Sequence, residues 1–178
     1  MKTYILLLRG VMPSGKNKVP MKQLRDVLGK HGFENVRTYI ASGNALVETD
    51  LSVRDIETKA HHLIKKHIGP DLTIIVRTGA QLQKILDENP FKKGHDISRV
   101  FFVSFAHKPA SYKIEKLQEE DFGDCQLNFG ENAAYMYIPG DASRSKLSNN
   151  FLEKKLDVSA TMRNFNTMSK LIEMSHND

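Results

Sequence analysis

The sequence predicts an α+β protein made of two tandem ferredoxin-like (βαββαβ-type) subdomains with antiparallel sheets and an additional C-terminal helix. Short apolar segments alternate with segments whose apolar residues recur at helical spacing, and turn residues join neighbouring strand segments into hairpins. The second half largely repeats the order of the first. We therefore place the first βαββαβ subdomain at residues 1–78, a connecting helix and loop at 79–97, and a second βαββα subdomain with a C-terminal helix at 98–178.

The first half has the predicted order β-α-β-β-α-β. Pro20 is a favourable first-turn residue for the first helix, and Ser52 with Asp55 forms a capping box at the start of the second. Ser42-Gly43-Asn44 supplies the turn between the second and third strands. The predicted elements are a strand at 4–9, a helix between 20 and 32, strands at 36–40 and 45–48, a helix between 52 and 69, and a strand at 72–77.

The second half repeats much of this order after a short connecting helix. Gly130-Glu131-Asn132 supplies the turn of its hairpin. The predicted elements are the connecting helix at 81–88, a strand at 99–105, a helix at 111–120, strands at 125–129 and 133–138, a helix at 147–156, a short extended piece at 160–162, and a last helix near 166–174.

Composition favours a soluble protein. Of its 178 residues, 40% are hydrophobic and 26% are charged, and no apolar stretch approaches the length of a membrane span. The apolar run that follows Met1-Lys2-Thr3 is too short for a signal peptide. We therefore expect a cytoplasmic protein with no membrane partner. Cys125 is the one cysteine, so no disulfide forms within a chain, and a small buried hydrophobe is its expected role.

Positive charge is concentrated in the first half of the chain. The net charge is +5, and residues 1–78 hold 13 Lys or Arg against 7 Asp or Glu, whereas residues 79–178 hold 13 against 14. A local excess of this sign suits an anionic partner, although surplus lysines also simply solvate a helical surface.

One stretch comes close to a phosphate-binding loop. Gly10, Gly15 and Lys16 match the pattern G-x-x-x-x-G-K-[ST] directly after an apolar strand, but Asn17 occupies the position of the magnesium-binding hydroxyl. Pro20 keeps the backbone extended where the phosphate-capping helix should already have begun. The stretch therefore does not predict a nucleoside triphosphatase, but an anion site of another kind stays open.

Several segments, in order along the whole chain, resemble the bacterial family catalogued as domain of unknown function 1697. They are Leu7-Leu8-Arg9-Gly10, Gly15-Lys16-Asn17-Lys18, Arg37-Thr38-Tyr39-Ile40-Ala41-Ser42-Gly43-Asn44, Asn89-Pro90-Phe91, Arg144-Ser145-Lys146-Leu147 and Thr161-Met162-Arg163-Asn164-Phe165-Asn166-Thr167. The resemblance implies a two-subdomain α+β fold and no established activity. The family usually has I-N-V-G at positions 11–14, where this chain has V-M-P-S, and Trp at the position of Phe165.

These segments gather short polar residues and cationic side chains at strand ends and helix starts, where backbone N–H groups are exposed. As turn and cap residues, Asn44 and Asn164 also suit a purely architectural role, and Arg9 and Arg163 could instead bond backbone carbonyls. Both interpretations stay open. The candidate ligand-binding residues for an anion are Arg9, Gly10, Gly15, Lys16, Asn17, Lys18, Ser42, Asn44, Arg144, Ser145, Lys146, Arg163 and Asn164.

Catalytic signals are weak. Ser42 and Ser145 lie in no nucleophile motif, and no companion His or acid is recognisable, so no catalytic residue is assigned. His61, His62 and His67 share a helix without metal-ligand spacing, so neither a metal nor another cofactor is predicted.

Three functions stay open at this point. The leading hypothesis is a protein that binds a phosphate-bearing ligand, either a nucleotide or a nucleic-acid backbone, through its basic Gly-rich loop. The second is an enzyme acting on a phosphorylated or carboxylated small molecule, which the sequence favours less. The third is an interaction module or homodimer, because an open antiparallel sheet can pair at its edges or bury a free face.

Overall fold

A computed structural model describes residues 1–176 and divides the chain into two compact units. The first unit comprises Met1–Leu82 together with residues 170–176, and the second comprises Gln83–Ser169. Each unit contains one four-stranded antiparallel sheet. The predicted α+β class with antiparallel sheets and a C-terminal helix is therefore confirmed.

The first unit has the element order β-α-β-β-α-β, as predicted. Its sheet has the strand order β2-β3-β1-β4, with the central strand β1 paired to β3 and β4. The elements are β1 (Lys2–Leu8), α1 (Met21–Lys30), β2 (Glu34–Thr38), β3 (Asn44–Thr49), α2 (Val53–His67) and β4 (Ile74–Arg77).

The second unit repeats this order and topology. Its sheet has the order β6-β7-β5-β8, so β5 occupies the place of β1, which is consistent with the predicted tandem ferredoxin-like arrangement. After α3 (Gly79–Asp87), which begins in the first unit, the elements are β5 (Val100–Phe105), α4 (Ser111–Gln118), β6 (Gln126–Phe129), β7 (Ala134–Tyr137), α5 (Asn149–Leu156), β8 (Ala160–Asn164) and α6 (Phe165–His176), of which residues 170–176 belong to the first unit.

Both faces of the first sheet are buried along β1. Leu6 and Leu8 pack in one core with the apolar side chains of α1 and α2. Ile5 and Leu7 point to the opposite face and are equally buried, with at most 1% of each exposed. This explains why β1 is an uninterrupted apolar run. It also means that the face away from α1 and α2 is not open at these positions.

Helix α2 begins as the sequence predicts. The Ser52 hydroxyl accepts a hydrogen bond from the Asp55 N–H at 3.2 Å and donates one to the Asp55 carboxylate at 2.6 Å. Ile56, Ala60 and Ile64 are buried on one face at helical spacing. The capping interaction and the burial of the apolar face therefore both favour a helix over these residues.

The two sheets also match in register. Arg77 of β4 lies opposite Ile5 of β1, and Arg163 of β8 lies opposite Phe102 of β5. In each sheet the arginine is near the end of the edge strand that pairs with the central strand. The two arginines are therefore structurally equivalent.

Each arginine is followed by a residue that caps a helix. Thr78 Oγ1 accepts from the Gln81 N–H at 3.2 Å at the start of α3, and Asn164 Oδ1 accepts from the Thr167 N–H at 2.9 Å at the start of α6. The predicted connecting helix and the predicted C-terminal helix are thus the same element of two repeats.

The observed bounds differ from the predicted ones by one or two residues in most elements, and two of these differences change the description of the sheets. The second strand ends at Thr38, because Ile40 has a φ of 47° and begins the turn. The extended piece predicted at residues 160–162 is the edge strand β8, paired to β5 from Ala160 to Asn164.

The end of α6 groups with the first unit rather than with residues 98–169. Gly79 lies directly against Ser175, since a Cβ at Gly79 would overlap the Ser175 hydroxyl oxygen. Within residues 1–176, no helix has the length and apolar character needed to cross a membrane.

Candidate functional site

The loop between β1 and α1, residues 9–20, is closed on itself by backbone hydrogen bonds. The Met12 N–H donates to the Asn17 carbonyl at 3.0 Å, and the Lys18 N–H donates to the Gly15 carbonyl at 3.2 Å. Gly15 has a φ of +77°, which glycine adopts without strain. The resulting tight turn contains Lys16 and Lys18, and both lysines are exposed.

The base of this β1–α1 loop is anchored in the first unit. Val19 is buried in the core with 3% exposure, and Val11 packs against the same core. The Arg9 N–H donates to the Thr73 carbonyl at 2.9 Å, just before β4 begins, and Gly10 follows with a φ of +74°. The tip is therefore exposed while both ends are fixed.

The β1–α1 loop does not run directly into a helix. Helix α1 begins at Met21, and Pro20 precedes it in an extended conformation without a side-chain cap. The loop N–H groups of Met12 and Lys18 are already bonded within the loop. This geometry differs from a phosphate loop that opens a helix, which agrees with the interpretation of Asn17 and Pro20 from sequence.

The turn between β2 and β3 packs against the end of β1. The Leu8 N–H donates to the Gly43 carbonyl at 2.9 Å. Gly43 has a φ of +87°, and a Cβ there would lie 2.6 Å from Val11 Cγ2 and 2.9 Å from Leu8 Cβ. A glycine is required at this position, where the turn meets the β1–α1 loop.

Asn44 holds this turn in shape. Its side chain is fully buried, and Nδ2 donates to the Tyr39 carbonyl and to Ser42 Oγ, each at 3.1 Å. Asn44 is thereby committed to the turn, while Ser42 remains exposed at its surface. Of the two predicted site residues here, Ser42 is the one that a ligand can reach.

Lys16 and Lys18 differ from many other lysines of the chain in their surroundings. Among residues 1–176, neither forms an ion pair with a carboxylate. Ion pairs do hold Lys65 to Asp71 at 2.6 Å and Lys84 to Glu131 at 2.8 Å. The tip of the loop therefore carries positive charge that no side chain of the described structure neutralises.

The predicted segment Arg144–Lys146 lies in the second unit, between β7 and α5. Arg144 Nε is 3.5 Å from Asp141 Oδ2, with most of its side chain exposed. Ser145 Oγ accepts from the Leu147 N–H at 3.1 Å and lies 3.5 Å from Sγ of the half-buried Cys125. These interactions keep the segment folded against its own unit.

Lys146 is held by charge and by aromatic rings. Its Nζ is 3.1 Å from Glu120 Oε2 and 5.5 Å from the ring centroids of both Phe122 and Phe151. An ammonium over aromatic faces is stabilised by the ring quadrupole. Lys146 thus has an architectural role in the second unit.

Arg163 and Asn164 make structural hydrogen bonds at the end of β8. The Arg163 guanidinium donates to Thr161 Oγ1 at 2.7 Å and to the Met162 carbonyl at 2.8 Å. Burial lowers the pKa of Arg163 to about 10, so the group stays charged at neutral pH. Asn164 caps α6 through its side-chain oxygen. Both roles match the architectural interpretation of these residues.

Arg77, which the sequence analysis did not single out, repeats this arrangement. Its guanidinium donates to the Val76 carbonyl at 2.8 Å, and burial lowers its pKa, with Glu57 acting in the opposite direction. The signal was present in the sequence as an internal repeat, I-I-V-R-T at 74–78 and A-T-M-R-N at 160–164.

The predicted site residues therefore lie partly in the first unit and partly in the second. Residues 9–18 and 42–44 lie where β1 ends and β3 begins. Residues 144–146 and 163–164 follow β7 and end β8, at the end of the second sheet where β5 begins. The residues that contact 144–146 differ from those that contact 163–164. Among residues 1–176, no three His, Cys, Asp or Glu side chains are grouped to hold a metal.

Comparison with known proteins settles the family. Residues 1–135 match the family described as protein of unknown function (DUF1697). The chain belongs to this family. The fold of this DUF1697 member is similar to the structure of the conserved bacterial protein SP0830 from Streptococcus pneumoniae, with a TM-score of 0.76 and 24% identity over 97% of this chain and 98% of the other. No curated protein matches the chain.

Proposed function

We propose that this DUF1697 protein binds a phosphate-bearing ligand at the tip of its β1–α1 loop. Lys16 and Lys18 bind the phosphate, with Arg9 at the base of the loop and the exposed Ser42 on the adjoining turn. Lysine ammonium groups bind phosphate as mobile point charges, and a hydroxyl adds a hydrogen-bond donor.

The observation that carries this proposal is the difference between the two repeats at the same connection. Residues 9–20 join β1 to α1, whereas residues 106–110 suffice to join β5 to α4. The first residue of each loop donates its N–H equivalently, Arg9 to Thr73 at 2.9 Å and Ala106 to Ser159 at 2.8 Å. The extra length is therefore not required by the fold, and added loop length on a rigid scaffold is where function commonly resides.

Electrostatics support the same loop over the other predicted segments. Lys146 is paired with Glu120, and Arg144 is beside Asp141. Lys16 and Lys18 have no such partner among residues 1–176, so a ligand phosphate would not compete with a protein carboxylate. The excess of basic residues in positions 1–78 adds a favourable field.

The test is a titration of the full chain with ATP and with a short fluorescent single-stranded oligonucleotide. We expect saturable binding of at least one of them, with amide shifts at residues 9–18. Affinity that falls steeply with salt identifies the polyanion, because counterion release grows with the number of phosphates neutralised. Each lysine-to-phosphate hydrogen bond that Lys16→Ala/Lys18→Ala removes should weaken binding by about ten- to hundredfold.

The matched control is Lys2→Ala/Lys30→Ala, which removes the same charge from exposed lysines at the start of β1 and the end of α1. Equal affinity losses in the two double variants would reduce the effect to net charge and overturn the assignment to the loop. No binding of either probe at low salt would contradict the proposal.

A further inference from the structure

A groove on the second unit lies between α4 and α5, away from the β1–α1 loop in the sequence. Its volume is about 230 Å³. It is lined by Tyr112, Lys113, Lys116, Leu117, Glu120 and Lys155. No part of the proposed function uses these residues.

The walls of this α4–α5 groove combine an apolar floor with a polar rim. Lys113, Lys116 and Glu120 recur at helical spacing, so they share one face of α4 and the turn that follows it. Leu117 is 2% exposed and forms the floor, whereas Tyr112 is 68% exposed. An exposed ring beside a buried leucine offers a flat apolar surface to a ligand.

The charge of the groove is positive. Glu120 is bonded by Lys155 at 2.5 Å and Lys146 at 3.1 Å, and these bonds, Lys155 first, hold the pKa of its carboxyl below the ordinary value. Lys113 Nζ is 3.4 Å from the largely exposed Asp157 carboxylate. The two carboxylates are thus shared among three lysines.

Among the described residues that line the groove, Lys116 is the lysine without a carboxylate partner. Within residues 1–176 it has no ion pair and no hydrogen-bonded carboxylate, although it lines the same cavity as Lys113 and Lys155. A bound anion would supply the partner that the protein does not.

We propose that the α4–α5 groove binds a compact organic anion, an apolar group that carries one carboxylate or phosphate. The anionic group pairs with Lys116 and Lys113, and the apolar group lies on Leu117 and against the Tyr112 ring. The cavity is smaller than the roughly 300–1,000 Å³ usual for drug-sized ligands, which favours a short molecule over a dinucleotide.

Amide shifts of the isotope-labelled full chain test this site. The probes are phenyl phosphate, benzoate, inorganic phosphate and benzyl alcohol, which separate the anionic group from the apolar group. We expect phenyl phosphate or benzoate to saturate shifts at residues 112–120 and 155. Inorganic phosphate and benzyl alcohol should each bind at least several-fold more weakly than the better of these two.

Three variants on exposed positions make the test specific. Lys116→Ala should weaken binding of the better probe about tenfold. Tyr112→Ala should weaken it several-fold, because the ring no longer covers the apolar group of the probe. Lys154→Ala is the matched control, an exposed lysine of α5 that does not line the groove, and should leave affinity unchanged.

Lys16→Ala/Lys18→Ala should also leave this binding unchanged, which separates the groove from the β1–α1 loop. The proposal is overturned if no probe saturates below about 10 mM or if the shifts map elsewhere. Equal affinities of Lys116→Ala and Lys154→Ala, or binding of benzyl alcohol as tight as that of phenyl phosphate, would overturn it too.

Discussion

The two units have the same strand order, the same register at Arg77 and Arg163, and a capped helix after each arginine. The largest differences in length are in two connections. Residues 9–20 in the first unit replace the short 106–110 of the second, and residues 138–148 in the second replace 50–52 of the first. Each long connection contains one of the basic segments singled out in the sequence.

The comparison separates scaffold from additions. A polar residue that occurs at the same place in both units, such as Arg77 and Arg163, has a role that the repeat itself requires. A residue on one of the two longer connections has no counterpart in the other unit, so the repeat does not require it. Even so, Lys146 is paired within its unit whereas Lys16 and Lys18 are not paired among residues 1–176, so the basic residues of the two additions differ in charge pairing.

The largest effect is expected from disrupting the packing of the β2–β3 turn against the β1–α1 loop, the longer connection of the first unit. Gly43→Ala forces a left-handed alanine whose Cβ collides with Val11 and Leu8. We expect the free energy of unfolding to fall by about 2–4 kcal/mol, measured by urea unfolding. Gly15→Ala is the control, with the same sign of φ but nothing within 4 Å of its Cβ, and should cost about 1 kcal/mol. Similar losses in both would mean that the turn is not packed as described.

The next effect tests the equivalence of the units. Arg77→Met and Arg163→Met each remove a guanidinium that donates to the carbonyl of the preceding residue at 2.8 Å. Leaving those acceptors without a charged donor should cost about 2–3 kcal/mol in each variant. Urea unfolding gives both values. A large loss of unfolding free energy in one variant and none in the other would show that the two arginines are equivalent in position but not in their contribution to stability.

A smaller effect contrasts the two basic segments directly. Lys146→Ala removes the ion pair with Glu120 and the ammonium beside two aromatic rings, so unfolding free energy should fall by about 1 kcal/mol. Lys16→Ala should change it by about 0.5 kcal/mol or less, as for an exposed loop residue. Urea unfolding of both variants provides the comparison. If Lys16→Ala proves the more destabilising, the β1–α1 loop is part of the architecture.

The smallest effect concerns pH. Each unit has a carboxylate that two basic side chains contact, Asp71 with Lys65 and His61 in the first and Glu120 with Lys155 and Lys146 in the second. In both, the pKa is lowered. A carboxyl whose pKa is lowered by folding stabilises the fold at pH values above its unfolded pKa, which is 3.8 for Asp71 and 4.5 for Glu120. This stabilisation is lost as the pH falls through the folded pKa.

Asp71→Asn and Glu120→Gln should therefore melt below the parent protein at pH 7, and the differences should close as the pH falls to about 3. Melting temperatures across this range provide the check. A difference that stays constant with pH would assign the loss to packing rather than to charge.

Much of the fold was predictable because its signals are local. Ser52 with Asp55 marks the start of α2, and the apolar run of β1 marks a strand within a few residues. The second strand was placed too far along the chain, because the left-handed backbone of Ile40 depends on how Asn44 and Gly43 close the turn. That closure involves packing against β1, which no local window contains.

The amino-acid sequence by itself determined the order of elements, the family resemblance and the set of polar residues from which any site is built. Only the tertiary structure decided which of those residues are available to a ligand. Lys146 is neutralised by Glu120, 26 residues away, and Asn44 is buried in the turn that Gly43 packs against Val11. Exposure and charge pairing depend on side chains that the tertiary structure brings together. Residues of the same type in similar local sequence therefore differ in whether they are exposed and whether they are paired.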